Sequence, residues 1–275
     1  EPAALEPAAP ESPPPQIIPD GLPLPEPTLA VFDPDPFPES PATNTSPKAE
    51  VSLDGVVFTS VLAPKDGRKN WQDILSAFVF AFQHTPNATL VLKMIGADPA
   101  FWWWEFHDII TRLPQFDCRV VVLHGYLNDP AYEQLIEATH IVVNASLAEG
   151  QCLPLVEFLS GQRPAIAPDH TAMADYITPE NAIIVRGEVE YCSWPHNPHN
   201  DLIATRMRMD WSSLRDAYAQ AYRIVTTDPP RYAAMRQAAA TSMQAYCGDQ
   251  TVRAALEKIL YLRATDAPPG PEMAA

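Results

Sequence analysis

Positive charge is scarce in this sequence. Its 18 Lys and Arg stand against 34 Asp and Glu, for a formal net charge of −16. A surface that replaces counterions along a nucleic acid needs clustered cations, so nucleic acid is excluded as a partner. Unaided docking on an anionic membrane is disfavoured for the same reason. No apolar run approaches the ~20 residues that span a bilayer, so no transmembrane segment is expected. The N-terminus shows no basic-then-apolar leader, and the chain starts at Glu1 without a Met, as if cut from something longer. Cysteine is sparse and unpaired: Cys118, Cys152, Cys192 and Cys247 form no CxxC motif. A disulfide framework or a zinc site is therefore not expected, and a reducing cytoplasm fits.

Proline is plentiful but unevenly placed. About half of the 31 prolines fall in residues 1–50, among acidic residues and almost no Lys or Arg. Such a segment buries too little apolar surface to offset its ordering entropy. Residues 1–50 read as an acidic, largely extended linker or strap, with Ile17-Ile18-Pro19-Asp20-Gly21 as a patch able to dock. Residues 51–263 read as one folded domain, and 264–275 as a flexible tail rich in Pro and Ala.

Within the domain, short apolar runs alternate with amphipathic stretches. Strands are predicted at Val56–Leu62, Thr89–Ile95, Arg119–Leu123, Ile141–Val143, Ala165–Ala167 and Ala182–Val185. Trp71, Ile74, Leu75, Phe78, Val79 and Phe82 recur at helical spacing after the first strand. Further helices are predicted at Phe101–Leu113, Tyr132–Ala138 and Leu153–Leu159. Three more close the chain at Trp211–Thr226, Pro230–Tyr246 and Thr251–Leu262. Strands that are continuously apolar are covered on both faces, the mark of a parallel sheet between helix layers. The expected fold is α/β: a Rossmann-like, doubly wound parallel sheet of about six strands with a C-terminal helical segment. Ligands in such folds bind beyond the carboxyl ends of the strands.

Three strand-end loops carry candidate chemistry. Lys65-Asp66-Gly67-Arg68-Lys69-Asn70 opens a helix, and its two cations beside a helix N-terminus suit a diphosphate; a solvated basic turn is the plainer reading. Ser146 to Glu157 places Glu149 on a loop and Glu157 about one turn into a helix begun at Pro154. Two carboxylates can accept from vicinal sugar hydroxyls, and Gly150 leaves backbone amides approachable; alternatively Glu149 is a helix-start acid and Glu157 faces solvent. His124-Gly125-Tyr126-Leu127-Asn128-Asp129 could seat a nucleobase, or serve only as a capped strand-to-helix loop.

Taken together, these loops resemble glycosyltransferase family 4. Glu149-Gly-Gln-Cys-Leu-Pro-Leu-Val-Glu157, continuing to Gly161, Pro164 and Asp169, is similar to that family's Glu-x7-Glu signature, with matching spacing. Arg68-Lys69-Asn70, Gly125-Tyr126-Leu127 and Asn144-Ala-Ser146 match further elements in the same order. Ile17–Gly21 resembles the family's Ile-Pro-x-Gly element near its interdomain crossover. The resemblance covers roughly residues 50–262 and implies one half of a GT-B fold, in which two Rossmann-like domains face across a cleft. It further implies retaining chemistry without a required metal or other cofactor, and a nucleoside-diphosphate sugar as donor substrate. By position, it assigns Glu149 to hydroxyls of the transferred sugar and Glu157 to the ribose. Lys69 with Arg68 would take the diphosphate, with Gly150, Gln151, Cys152 and Leu153 near the phosphates or sugar, and Tyr126 and Leu127 near the base. Gln151 and Cys152 depart from the Phe-Gly usual in this signature, and Ser60-Val61 from a Gly-Arg pair. The acceptor, a carbohydrate or a lipid-linked one, would be held by a separate N-terminal domain. The alternative is a non-catalytic, transferase-like module for ligand binding or protein assembly.

Trp102-Trp103-Trp104 cannot all share one helix face, so at least one ring should be exposed. His196 and His199 lack a carboxylate-rich neighbourhood and read as part of a loop over the cleft rather than as metal ligands.

Overall fold

The computed structural model describes residues 28–31, 51–95, 99–193 and 203–265. Seven parallel strands form one sheet: β1 (Thr28–Val31), β2 (Val56–Leu62), β3 (Ala88–Met94), β4 (Arg119–His124), β5 (Ile141–Val143), β6 (Ala165–Ala167) and β7 (Ala182–Ile184). Their order across the sheet is β1-β4-β3-β2-β5-β6-β7. The chain winds outward from β2 through β3 to β4, then returns to the other side of β2 with β5 and continues to β7. The order therefore reverses between β2 and β5, and the carboxyl ends of these two strands flank the natural ligand crevice of the fold.

All six strands expected from residue 51 onward are present. A seventh, β1, comes from the preceding Pro-rich segment and pairs with the outer edge of β4. The pattern Ile17–Gly21, the histidines His196 and His199, and residues 266–275 lie outside the described residues.

Side chains alternate across the sheet as pleating requires. Phe58, Leu90, Leu92, Val120 and Val122 point to one face and pack under α1 (Trp71–Phe82), α2 (Pro99–Arg112) and α5 (Trp211–Thr227). Val57, Val61, Val91, Val121 and Leu123 point to the other, under α3 (Asp129–Ala138) and α4 (Leu153–Ser160). Helix α6 (Pro229–Cys247) joins the layers, with Met235 in the first cluster and Ala239 and Met243 in the second. The first core is aromatic: Phe58 contacts Phe78, Phe82 and Tyr218 with ring centroids 5.3–5.8 Å apart. Of the tryptophan run, Trp104 is 74% exposed, while Trp103 stacks on Phe106 at 6.0 Å. Among the described residues no helix is long and apolar enough to cross a membrane.

Two features were not anticipated. β8 (Gly187–Ser193) and β9 (Ile203–Met209) form an antiparallel hairpin after β7. One face carries Glu188, Glu190, Arg206 and Arg208 in cross-strand ion pairs. The other carries Val189, Tyr191 and Ile203, all exposed, before reaching buried Met209. In addition, the last helix, α7 (Asp249–Thr265), leaves Val252, Leu256, Ile259 and Leu260 exposed.

Because Phe58 sits at the hub of four rings, Phe58→Ala should cost about 3–5 kcal/mol. Urea unfolding would register this as a lowered midpoint at unchanged slope; an unaltered midpoint would show that the ring cluster is not the centre of the core.

Candidate functional site

The loop after β2 is shaped by two small devices. Asp66 caps a single 3-10 turn, Gly67–Lys69, by accepting from the Arg68 amide at 3.3 Å. Asn70 then turns left-handed (φ 53°) before α1 starts. Asn tolerates that conformation better than most residues because its short amide bonds locally; here it donates to Asp73 at 3.0 Å. The turn thereby holds Arg68 and Lys69 at the carboxyl end of the sheet.

The loop after β5 meets it there. The Leu147 amide donates to the Arg68 carbonyl at 2.8 Å, and the Met207 amide of β9 donates to the Leu147 carbonyl at 2.8 Å. Lys69 Nζ donates to Glu149 Oε1 at 2.6 Å, and an Arg68 guanidinium nitrogen donates to Glu149 Oε2 at 2.7 Å. These partners are 80 and 81 positions apart in sequence. The same Arg68 nitrogen reaches the Ala148 carbonyl at 2.9 Å, and Arg68 Nε pairs with Asp66 at 2.9 Å. The Glu149 side chain is only 4% exposed, whereas that of Arg68 is 40% exposed.

Burial pushes the Glu149 pKa up, but hydrogen bonds from Lys69, Ser146 and Arg68 outweigh it and hold the carboxyl below its ordinary range. Glu149 is thus an ionised hydrogen-bond acceptor rather than a proton donor. The two cations are not free charges, since Asp66 and Glu149 balance them one for one. Lys69 nevertheless has donors to spare beyond the one given to Glu149, as does the half-exposed Arg68.

Next to Glu149, Gly150 is exposed, with open space where a Cβ would stand. Among the described residues, the amides of Gly150, Gln151 and Cys152 meet no backbone carbonyl. The Gln151 carbonyl accepts from the Tyr176 hydroxyl. Cys152 is left-handed (φ 62°), the conformation that favours glycine. Its side chain is buried and accepts from Asn144 Nδ2 at 3.0 Å. Burial, followed by the charge of Glu149, pushes its thiol up to about 11, so Cys152 is packing rather than a nucleophile. Leu153 begins α4 and is exposed.

Glu157 lies one turn into α4, exposed, and accepts from the Tyr132 hydroxyl of α3 at 2.7 Å. Helix α3 starts from the loop after β4, where Gly125 is left-handed (φ 99°), Tyr126 is exposed, and Asn128 caps the helix by accepting from the Ala131 amide. Tyr132 therefore links Glu157 to the segment bearing Tyr126 and Leu127. The ten candidate residues lie on three loops and one helix start; Arg68, Lys69 and Glu149 touch directly, while Glu157 joins the loop after β4 through Tyr132.

Sequence reasoning missed Thr171. It sits in the loop after β6 at φ 50°, where a β-branched residue is strained. Its Oγ1 accepts from the Glu149 amide at 3.1 Å and donates to the His170 carbonyl at 2.7 Å. The Ala172 amide returns to the Glu149 carbonyl at 3.4 Å. Only the loop's position after a strand signalled it; a threonine announces nothing by composition.

A family model described as glycosyl transferases group 1 matches residues 54–191. No curated protein sequence matches the chain. Among solved structures, the sucrose-phosphate synthase of Thermosynechococcus elongatus is similar, at TM-score 0.56 and 17% identity over 78% of this chain and 46% of that one. HepE from Anabaena, solved with UDP-glucose, aligns at TM-score 0.53 and 18% identity over 76% of this chain and 49% of its own. The pneumococcal O-GlcNAc transferase GtfA, solved with UDP and GlcNAc, aligns at TM-score 0.52 and 14% identity over 76% and 36%. At these identities the likeness is one of fold, and the chain spans less than half the length of each of these three structures.

Two outcomes test this geometry. Glu149→Gln leaves two partly buried cations short of a partner and should cost about 3 kcal/mol at pH 7. A carboxylate with a depressed folded pKa stabilises above its unfolded value and loses that contribution as pH falls through the folded one. The deficit of the glutamine variant should therefore shrink as pH drops below about 4.5; a deficit constant from pH 7 to pH 3 would show that charge is not the cause. For Thr171, glycine relieves the backbone but deletes the hydroxyl, while serine keeps it. Hydrogen exchange at the Glu149 amide should quicken about tenfold in Thr171→Gly, as for one lost hydrogen bond, and hold steady in Thr171→Ser.

Proposed function

The chain belongs to the glycosyl transferases group 1 family, and from that premise we propose that it is the donor-binding, C-terminal half of a retaining, two-domain transferase of the family 4 type. The observation that carries this reading is the buried carboxylate of Glu149, held ionised between Lys69 and Arg68 at the switch point of the sheet. The ligand is a nucleoside-diphosphate sugar.

In this reading the sugar lies over Glu149, whose oxygens keep lone pairs for vicinal hydroxyls. The diphosphate lies against Lys69, Arg68 and the amides of Gly150–Leu153, at the start of α4. Negative charge grows on the leaving diphosphate as the glycosidic bond breaks. Lys69 and Arg68 answer it from a fixed position, without reorganisation at the moment of reaction, so that neither metal nor other cofactor is called for. Asp66 and Glu149 keep the empty site near neutrality, and the arriving diphosphate recruits the spare N–H groups of both cations. Glu157 takes the ribose hydroxyls, oriented by Tyr132, and the Gly125–Leu127 loop takes the base.

The acceptor, a carbohydrate or lipid-linked one, is held by a separate N-terminal domain. Two observations support that division. The chain spans 36–49% of the transferase structures that it resembles. The apolar stripe Val252, Leu256, Ile259 and Leu260 of α7 lies exposed, an arrangement suited to packing against another domain. Four free cysteines fit a reducing cytoplasm. A second reading, a transferase-like module serving assembly rather than transfer, draws on the same exposed stripe and on the charge balance of the four-residue cluster.

Calorimetry with UDP, GDP and ADP separates the two. Donor binding requires saturable affinity for at least one nucleotide, reduced about tenfold or more by Lys69→Ala and by Glu157→Ala, as expected for a lost charged hydrogen bond. Absence of binding to all three would end the donor-site reading and leave the assembly module.

A further inference from the structure

Among the described residues, Lys93 is the one charged side chain of the sheet interior that the proposed chemistry does not use. It is the penultimate residue of β3, between Val61 of β2 and Leu123 of β4, and is 1% exposed. Pleating places it on the face of Val91, beneath α3 and α4. Among the described residues, none of the ion pairs includes it. Its ammonium donates to the carbonyl of Gly125. Burial alone pulls its pKa down to about 8. A methionine of similar length would fill this place without the desolvation cost, so stability does not explain the lysine.

The hydrogen bond has a geometric consequence for the next residue. A trans peptide is planar, with its carbonyl and N–H on opposite sides. The carbonyl of the Gly125–Tyr126 peptide points down to Lys93, inside the sheet. The Tyr126 amide therefore points away from Lys93. Among the described residues it meets no backbone carbonyl, and the Tyr126 side chain is exposed beside it. The preceding amide, Gly125 N–H, is already spent on the Met94 carbonyl at 3.1 Å. At Gly125 the left-handed conformation (φ 99°) carries no side-chain penalty, so rotation of this peptide would be cheap without an anchor.

We propose that Lys93 positions the base-binding loop of the donor site: by holding the Gly125 carbonyl inward, it presents the Tyr126 amide as a fixed hydrogen-bond donor to an acceptor on the nucleobase edge. The inference rests on the reading that this loop receives the base. Lys93 is a positioning residue and does not touch the ligand. Removing it lets the peptide turn over and present its carbonyl, which cannot serve an acceptor on the base.

The test is calorimetry on the full chain with UDP, GDP, ADP and inorganic pyrophosphate. Wild type should bind at least one of the three nucleotides at least tenfold more tightly than pyrophosphate. Lys93→Met should shrink that ratio below about threefold while leaving pyrophosphate affinity and Tm no lower than in wild type. A merely structural lysine would weaken all four ligands together. Hydrogen exchange in wild type supplies a readout independent of the variant's folding: saturation with the preferred nucleotide should protect the Tyr126 amide at least tenfold. An unchanged nucleotide-to-pyrophosphate ratio in Lys93→Met, or an unprotected Tyr126 amide, overturns the role of Lys93 while leaving the donor site standing. Wild type that binds no nucleotide removes the donor site, and this inference with it.

Discussion

The contact on which the rest of the site depends is the pairing of Glu149 with Lys69 and Arg68. It joins the ends of β2 and β5, the two strands between which the winding of the sheet reverses. Backbone contacts join the two loops, through a 3-10 turn stopped by left-handed Asn70, a Leu147 amide on the Arg68 carbonyl and a β9 amide on Leu147, while the side chains of Asp66 and Thr171 hold the turn and the Glu149 amide. Opposite charges this close at a buried acid also keep the acid ionised, which decides its chemistry. Glu149 accepts hydrogen bonds and does not donate protons.

Much of this was legible in the sequence for a simple reason. Six buried strands of a parallel sheet read as continuous apolar runs, and α1 and α5 carry aromatic stripes at helical spacing, so layers and order follow from periodicity. Singly, the acids and cations fit a solvated turn and a helix start as well as a site; they stood out because their combined spacing resembles a family signature. What the sequence concealed was pairing. Nothing local says that Lys69 and Glu149, 80 residues apart, will share a proton donor and acceptor; that follows only once β2 and β5 are neighbours. The hairpin of β8 and β9 was hidden differently. Its alternation is present in Val189, Tyr191, Thr205, Met207 and Met209, but the interleaved Glu and Arg lower its mean hydropathy to that of a loop. Strand β1 sits in a Pro-rich segment whose composition argues for extension and says nothing of a partner.

Backbone strain gathers around the same loops. Cys152 and Thr171 are left-handed without being glycine, and they flank Glu149 in space on the loops after β5 and β6. Each such residue costs on the order of 1 kcal/mol or more and persists only where its surroundings fix it. For Cys152 the fixing agents are burial and the Asn144 amide; for Thr171 they are the Glu149 amide and the His170 carbonyl. The side chains that hold these conformations are the ones a glycine would lack. Substituting residues for glycine in such loops therefore trades conformational ease for a tethered position, and the tether of Thr171 ends on Glu149.

Among the described residues, the buried charges Glu149 and Lys93 make the same point from opposite directions. Glu149 is compensated: its partners recover more than burial takes, and removing it unbalances two cations. Lys93 has no counter-charge: among the described residues its ammonium is received by the Gly125 carbonyl and by no carboxylate. A charge of the first kind can be retained for stability alone. A charge of the second kind needs a return outside stability, and the carbonyl that receives it belongs to the loop that follows β4. Since a peptide plane has two polar sides, holding its carbonyl inward determines what the other side offers a ligand. The uncompensated lysine is thus a device for aiming a backbone amide from beneath, in a loop where glycine would otherwise let that amide turn.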